Sequence, residues 1–169
     1  MVVLGLPIKF NLMFDKLAVG NKMIIDHIGI RVNSIEEGIK HWEKIFNYKQ
    51  MTEVVINSRQ NVKVVFMVKE NSLLVKLFEP LNKNSSNISS SHRGEGLHHI
   101  CFKCSSLTTE INRLKKLGLR ITAQPQPGEA FENENIAFLY GKQGLNIELI
   151  ETEKKANLID ISPGQEMKI

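Results

Sequence analysis

The chain has 169 residues, 42% of them hydrophobic, and a formal net charge of +4 at pH 7. This length and composition predict one domain with a buried core and exclude a disordered chain. No apolar run approaches the roughly 18 residues that a membrane span requires, so we expect no membrane partner. The densest basic patch, residues 113–116, falls on the expected polar face of a helix, so we expect no nucleic-acid partner either.

Residues 1–22 precede the patterned part of the chain and are interpreted as an N-terminal arm. No basic segment comes before their apolar run, which Pro7 and Lys9 interrupt, so they make a poor secretion signal. They also contain none of the arginines that an organelle transit peptide would need.

The patterned part repeats itself with an offset of 72 residues: residues 26–80 lie over residues 98–152 without a gap. The pairs with the same residue at both places include His27 and His99, Ser34 and Ser106, Phe66 and Phe138, and Glu79 and Glu151. The pairing breaks most clearly where Lys76 falls on Glu148. A duplicated unit with a histidine near its start and an ionisable residue near its end predicts one site built across a pseudo-twofold axis.

Each half begins with an alternating strand, predicted from Ile24 to Val32 and from Leu97 to Cys104, and continues into a helix. Ser34 and Glu37 fit a capping box, in which both side chains cover exposed backbone N–H groups. Ser106 occupies the same place in the second half. The apolar stripes of the two helices are Ile35, Ile39, Trp42 and Ile45, and Leu107, Ile111, Leu114 and Leu117, with Gly118 as the second C-cap.

Three further strands are predicted in each half, at about 51–57, 62–69 and 73–79, and at about 119–123, 135–140 and 145–151. Each half is therefore a βαβββ unit, and the units span residues 24–81 and 97–152 of a single domain at 23–152. The segments around them are a mobile linker at 82–93, a loop at 124–130, and a C-terminal tail at 153–169 with a candidate edge strand at 158–161 and an end expected to fray. Pairing the units predicts an α+β fold, a curved mixed sheet that forms a cup with the helices outside.

The two cysteines, Cys101 and Cys104, form a C-x-x-C pattern that is typical of zinc or redox sites. Here the pattern lies on a predicted strand, where residues three apart point to opposite faces. We therefore expect two structural cysteines, and their placement favours a reducing compartment, the cytoplasm.

Alternation on the fourth strands puts Lys76 and Glu148 among apolar neighbours, where a charge needs a partner or a metal. On the first strands, His27 and His99 stand at equivalent places. The neighbouring His98 is expected to point to the opposite face and to be structural.

Three segments together resemble the vicinal oxygen chelate superfamily. They are Ile25-Asp-His-Ile-Gly-Ile30, Gly94-Glu-Gly-Leu-His-His-Ile100 and Leu145-Asn-Ile-Glu-Leu149. Within the superfamily they are most similar to methylmalonyl-CoA epimerases and lactoylglutathione lyases. Gly96-Leu-His-His-Ile100 and Leu77-Phe-Glu-Pro80 favour the epimerase branch. The resemblance runs from about residue 24 to 152.

The resemblance implies one divalent metal (Co, Zn, Ni, Mn or Fe) in the cup, held by His27, His99 and Glu148. The fourth ligand position, normally Glu or Gln, is Lys76, which has no lone pair while protonated. The position of a glutamate base in some epimerases matches Val64, so that role is vacant.

Three hypotheses for the site remain open. In the first, His27, His99 and Glu148 hold a metal as a facial triad with open positions, as in non-haem iron oxygenases. In the second, the Lys76 ammonium replaces the metal and pairs with Glu148. In the third, the histidines are only structural.

The leading functional hypothesis is a small-molecule enzyme that resembles methylmalonyl-CoA epimerase or glyoxalase and transfers a proton next to a carbonyl. Glu148 would be its general base, and a metal or Lys76 would stabilise the enolate. The alternatives are a metal-free binding protein similar to bleomycin-resistance proteins and an Fe(II) dioxygenase-like enzyme. The expected partners are a small-molecule substrate and, by resemblance, a second copy in a homodimer.

Overall fold

The structure, a computed structural model, describes residues 23–82 and 94–160. Within these residues, nine strands form one mixed sheet. The strands are β1 Ile24–Arg31, β2 Lys49–Gln50, β3 Val55–Asn57, β4 Val62–Val68, β5 Leu74–Pro80, β6 Gly96–Lys103, β7 Arg120–Pro127, β8 Asn135–Tyr140 and β9 Asn146–Ile150. The helices are α1 Ile35–Phe46 and α2 Leu107–Lys116, with short 3-10 turns at Glu129–Phe131 and Lys142–Gly144. The N-terminal arm, most of the linker and the end of the tail lie outside the described residues.

The strand order is β2-β4-β5-β1-β6-β9-β8-β7, with β3 also paired to β4. At the centre, β1 and β6 pair antiparallel, and we call this pairing the central seam. On either side of the seam, each first strand runs parallel to the fourth strand of its own unit. This arrangement confirms the predicted α+β fold of two βαβββ units in one curved sheet.

The two helices begin with the same pair of contacts. The hydroxyl of Ser34 accepts from the Glu37 backbone N–H at 3.2 Å, and the Glu79 carboxylate accepts from the Ile35 N–H at 3.0 Å. In the second unit, Ser106 accepts from Thr109 and Glu151 accepts from Leu107 in the same way. The conserved spacing between cap and strand end therefore places each helix identically on its unit.

The second strand of each unit differs from its prediction. In the first unit, the predicted strand 51–57 is broken into β2 and β3, because the Thr52 hydroxyl takes the Phe66 N–H that a continuous ladder would have used. In the second unit, β7 extends to Pro127 and takes in part of the predicted loop 124–130. β7 is the edge strand of the sheet, where prolines are tolerated because no further strand needs their backbone N–H groups as donors.

Residues 153–160 of the tail pack against both units, while the end of the chain, for which we predict fraying, lies outside the described residues. The Ala156 N–H donates to the Ala130 carbonyl at 3.0 Å, and the Ile159 N–H donates to the Met51 carbonyl at 2.9 Å. Of the candidate edge strand at 158–161, residues 158–160 are described, and they form one isolated bridge, between Leu158 and Thr52.

The core has one layer on each face of the sheet. The helix-side layer has one cluster under each helix, and these clusters contain Val75 and Leu77 in the first unit and Ile147 and Leu149 in the second. The cup-side cluster consists of Val62, Val64, Phe66, Phe78, Cys101, Ala130, Phe131, Ile136 and Ile150. Cys101 and Cys104 thus lie on opposite faces, as predicted, and both are free and buried. None of the helices among the described residues has the length and apolar character needed to cross a membrane.

Candidate active site

Four side chains converge on the cup side of the central seam. They come from four consecutive strands of the sheet: Lys76 from β5, His27 from β1, His99 from β6 and Glu148 from β9. All four are buried, with at most 3% of any residue exposed. The structure thus brings together the four side chains that the sequence predicts to converge.

The convergence point is one oxygen atom, Oε2 of Glu148. Lys76 Nζ lies 2.5 Å from it and His27 Nε2 lies 3.0 Å from it, both as hydrogen bonds. His99 Nε2 lies 2.9 Å from the same oxygen but outside hydrogen-bonding geometry. The other oxygen, Glu148 Oε1, is buried without a hydrogen-bond partner among the described residues.

A β-bulge in each first strand places a second polar residue beside each histidine. In the ladder of the seam, the register shifts at Asp26 and again at His98, so neither has a cross-strand partner. Asp26 Oδ1 lies 2.6 Å from His27 Nδ1, and His98 Nδ1 lies 2.9 Å from His99 Nδ1. The prediction that His98 points away was wrong, because the extra residue of a bulge interrupts the alternation of side chains.

The protonation of the site follows from burial and charge. Burial raises the pKa of Glu148, but the Lys76 ammonium and the two histidines outweigh it and hold this pKa well below 4.5. Burial and the Lys76 charge lower the pKa of His99 from 6.5 to about 3. At neutral pH, Glu148 is therefore ionised and His99 is a neutral imidazole.

Asp26 fixes the tautomer of His27. Burial raises the pKa of Asp26, but the hydrogen bond to His27 and the charge of Lys155 bring it below its ordinary value. An ionised carboxylate can only accept, so His27 donates from Nδ1. His27 can then donate from Nε2 to Glu148 only while the ring carries both protons; without the Nε2 proton, the lone pair of Nε2 is available to a cation and the hydrogen bond to Glu148 is lost.

This donor set fits a divalent cation. The ligand atoms of His27, His99 and Glu148 all lie within 4.8 Å of one another. Two imidazoles and one ionised carboxylate suit a transition metal, and an outer partner on each Nδ1 is the usual support for a histidine ligand. Among the unpartnered atoms, His99 Nε2 is a polar atom that such a cation would satisfy. Lys76 is the one member of the cluster that cannot act as a ligand while protonated.

Besides Asp26, three residues of the site were missed by the sequence prediction. A Cβ atom at Gly29 would lie 2.0–2.5 Å from three atoms of the His99 ring, so the absence of a side chain makes room for that ring. A glycine within a strand is a known signal of such a close approach and could have identified this one. Cys101 occupies the equivalent place in the second unit and faces His27 across the seam.

The third is Lys155, in the tail. It is only 5% exposed, and its Nζ lies 3.3 Å from Asp26 Oδ2 and 5.0 Å from the centre of the Phe131 ring. Because Lys155 lies outside the repeat, no symmetry in the sequence pointed to it.

Comparisons with known proteins agree with this architecture. The family model of the glyoxalase/bleomycin resistance protein/dioxygenase superfamily matches residues 26–138. The chain is 28% identical over 130 residues to the uncharacterised protein YqjC of Bacillus subtilis, which covers 75% of this chain and 91% of YqjC. It is 25% identical over 127 residues to a 3-dehydroshikimate dehydratase of Pseudomonas putida, but it spans only 19% of that protein's length.

Solved structures show the same fold. A methylmalonyl-CoA epimerase from Mycobacterium tuberculosis has a TM-score of 0.63 at 25% identity, covering 75% of this chain and 85% of the epimerase. The hypothetical protein BH1468 from Bacillus halodurans has a TM-score of 0.63 at 28% identity, covering 80% of this chain and 99% of BH1468.

Proposed function

The chain belongs to the glyoxalase/bleomycin resistance protein/dioxygenase superfamily, and on that basis we propose that it is a small-molecule enzyme. In this proposal it transfers a proton next to a carbonyl group, with one divalent cation held by His27, His99 and Glu148. The observation that supports it is the convergence of three ligand atoms within 4.8 Å, with an outer partner on Nδ1 of each histidine.

A divalent cation bound there would stabilise the enolate oxygen that forms when the substrate loses its proton. Lys76 adds a second positive charge at the same point, because its ammonium lies 2.5 Å from Glu148 Oε2. Asp26 and His98 hold the two imidazoles in the orientation that directs Nε2 into the cup.

Glu148 combines two roles in this proposal. Its Oε2 is held by Lys76, whereas Oε1 has no hydrogen-bond partner among the described residues and is the oxygen that would accept the substrate proton. Its low pKa makes it a weak base. A weak base suffices where the enolate is strongly stabilised, and the positive charge beside the carboxylate serves that purpose.

Metal analysis tests the proposal directly. We expect the purified protein, after incubation with cobalt or zinc, to retain about one metal ion per chain. His99→Ala should abolish this retention, and His41→Ala, on the exposed surface of α1, is the matched control. Absence of bound metal, together with no racemase or isomerase activity on methylmalonyl thioesters or hemithioacetals, would contradict the proposal.

A second candidate is a metal-free ligand-binding protein, which the Lys76–Glu148 ion pair favours. In that case the ammonium already neutralises the carboxylate, and no cation is needed. Lys76→Glu separates the two candidates, since it supplies a fourth ligand, which is a carboxylate, beside the three of the cluster. Tight metal binding by Lys76→Glu but not by the natural protein would establish the metal-free candidate.

A further inference from the structure

The C-terminal residues 153–160, which we call the clasp, connect the two units across the cup. One end is tied to the second unit by the Ala156–Ala130 hydrogen bond. The other end is tied to the first unit, where the Glu53 N–H donates to the Asn157 carbonyl at 2.8 Å and Ile159 donates to Met51. The clasp therefore holds together the two halves from which the site residues come.

Lys155 is the one clasp residue that is both buried and directed into the cup. Its ammonium lies 5.3 Å from the centre of the Phe66 ring and 5.0 Å from that of Phe131, two members of the cup-side cluster. A desolvated ammonium over aromatic faces is a favourable contact. The side chain thus fills the space beside the site instead of extending into water.

Lys155 also reaches the histidine ligand through one intermediary. Its Nζ lies 3.3 Å from Asp26 Oδ2, while Asp26 Oδ1 lies 2.6 Å from His27 Nδ1. The Asp26 side chain is only 13% exposed, so its charge needs compensation by neighbouring groups. Two successive polar contacts, from Lys155 to Asp26 and from Asp26 to His27, therefore connect the tail with the site.

The remaining attachments of the clasp are weak. Leu158 is 62% exposed and Ile159 is 38% exposed, so neither buries much apolar surface. The ion pairs Lys154–Glu134 and Lys103–Glu153 lie at the surface, where water screens them. A segment with few buried contacts opens more readily than the sheet beneath it.

We propose that Lys155 is the positioning residue of a C-terminal lid. In the closed clasp it holds Asp26 against His27, and opening of the clasp withdraws Lys155 and exposes the cup. That the opening admits the substrate rests on the proposed function, whereas the opening itself does not. The clasp thus couples access to the site with the orientation of His27.

The thiol of Cys101 provides a probe of the opening that needs neither metal nor substrate. This residue is fully buried on the cup side, and its sulfur lies within 4.8 Å of ligand atoms of Asp26 and His27. In a Cys104→Ala background, 4,4′-dithiodipyridine would modify only Cys101, and the released thiopyridone gives the rate by absorbance. We expect Lys155→Met, which keeps the length of the side chain but not its charge, to accelerate this reaction by about tenfold or more.

Three controls distinguish opening of the clasp from global unfolding and from a general effect of substitution in this segment. Lys154→Met, in the same segment but outside the cup, should leave the rate within about twofold of the background, since exposed ion pairs contribute little. Lys155→Arg, which retains the charge, should restore slow labelling. In a Cys101→Ala background, Cys104 on the helix side reports global unfolding, and Lys155→Met should not accelerate its labelling.

An unchanged Cys101 rate in Lys155→Met would overturn the proposal, as would an equal acceleration at Cys104. Because the readout is a thiol rate in metal-free protein, a protein without metal or activity can still pass this test.

Discussion

The two units share one backbone plan, but they place different side chains at its three decisive positions. At the bulge, Asp26 stands where the second unit has His98, and three residues later Gly29 corresponds to Cys101. On the fourth strand, the cation Lys76 corresponds to the anion Glu148. The duplication brings the positions together, and the divergence makes the charges complementary, because two carboxylates at the fourth-strand places would repel each other without a cation between them.

The strongest way to break this complementarity is to remove one member of the ion pair. We expect Lys76→Met to lower the free energy of unfolding by about 3–5 kcal/mol, because it leaves Glu148 as a buried charge without its ammonium. Glu148→Met should cost a similar amount. The double variant should lose much less than the sum, since two apolar residues replace both charges.

Urea unfolding of the four proteins with a chelator present measures this coupling, and the exposed pair Lys40–Glu37 provides the matched control. Additive losses in the double variant would show that the ion pair does not couple the two units.

The second comparison concerns Gly29 and Cys101. We expect Gly29→Ala to destabilise the protein by about 1–3 kcal/mol, because the added Cβ must displace the His99 ring. Cys101→Ala removes atoms from the equivalent place and should cost about 1 kcal/mol. Thermal or urea unfolding measures both variants, and metal retention should fall only in Gly29→Ala. Equal stability of the two variants would contradict the close packing of His99 on Gly29.

The stability of the protein should depend on pH through His99 of the second unit. The unfolded chain protonates His99 near pH 6.5, while in the folded protein the pKa of His99 is about 3, so stability falls as the pH drops through this window. The slope is about 1.4 kcal/mol per pH unit for one proton. Below pH 4.5 the unfolded chain also protonates Glu148, whose folded pKa lies well below that value, so the slope becomes steeper.

Unfolding of metal-free protein between pH 7 and pH 4 measures this dependence. His99→Gln should flatten the upper part of the curve, whereas His41→Gln, at an exposed position, should leave it unchanged. A curve of the same slope in His99→Gln would show that His99 is not held neutral in the folded state.

The smallest expected loss of stability should be the same in the two units. Ser34→Ala and Ser106→Ala each remove one N-cap hydrogen bond, of 3.2 Å and 3.3 Å, and each should cost about 1 kcal/mol. Because Glu79 and Glu151 support the two helix starts in the same way, we expect equal losses. Clearly unequal losses, measured by urea unfolding, would mean that the units have diverged in their helix starts as well as in the site.

The repeat explains why the sequence predicted the fold and the four converging side chains. Alternation on a strand determines which face a residue occupies, and an offset of 72 residues relates the two units. This was enough to place Lys76 and Glu148 opposite each other in the cup. The break in the second strand was not predictable, because it depends on the tertiary hydrogen bond between Thr52 and Phe66.

The same reasoning explains what was missed around the site. A bulge adds one residue to a strand without any mark in the pattern of polar and apolar residues, and so His98 was assigned to the wrong face. Lys155 lies outside the repeat, and its contacts with Asp26 and Phe131 are tertiary contacts that leave no pattern in the sequence. The sequence thus predicts the ligands better than the residues that orient them.

The central seam has a consequence for synthesis and folding. Pairing Ile28 with Ile100 closes a loop of 72 residues, whereas the hairpin that joins Val65 to Leu77 closes one of 12. Closing a long loop costs more entropy, and such non-local pairings slow folding. While the second unit is still being synthesised, β1 has β5 on one side and an unpaired, isoleucine-rich edge on the other. The strand that carries His27 therefore presents an edge that is open to aggregation in the nascent chain until β6 covers it.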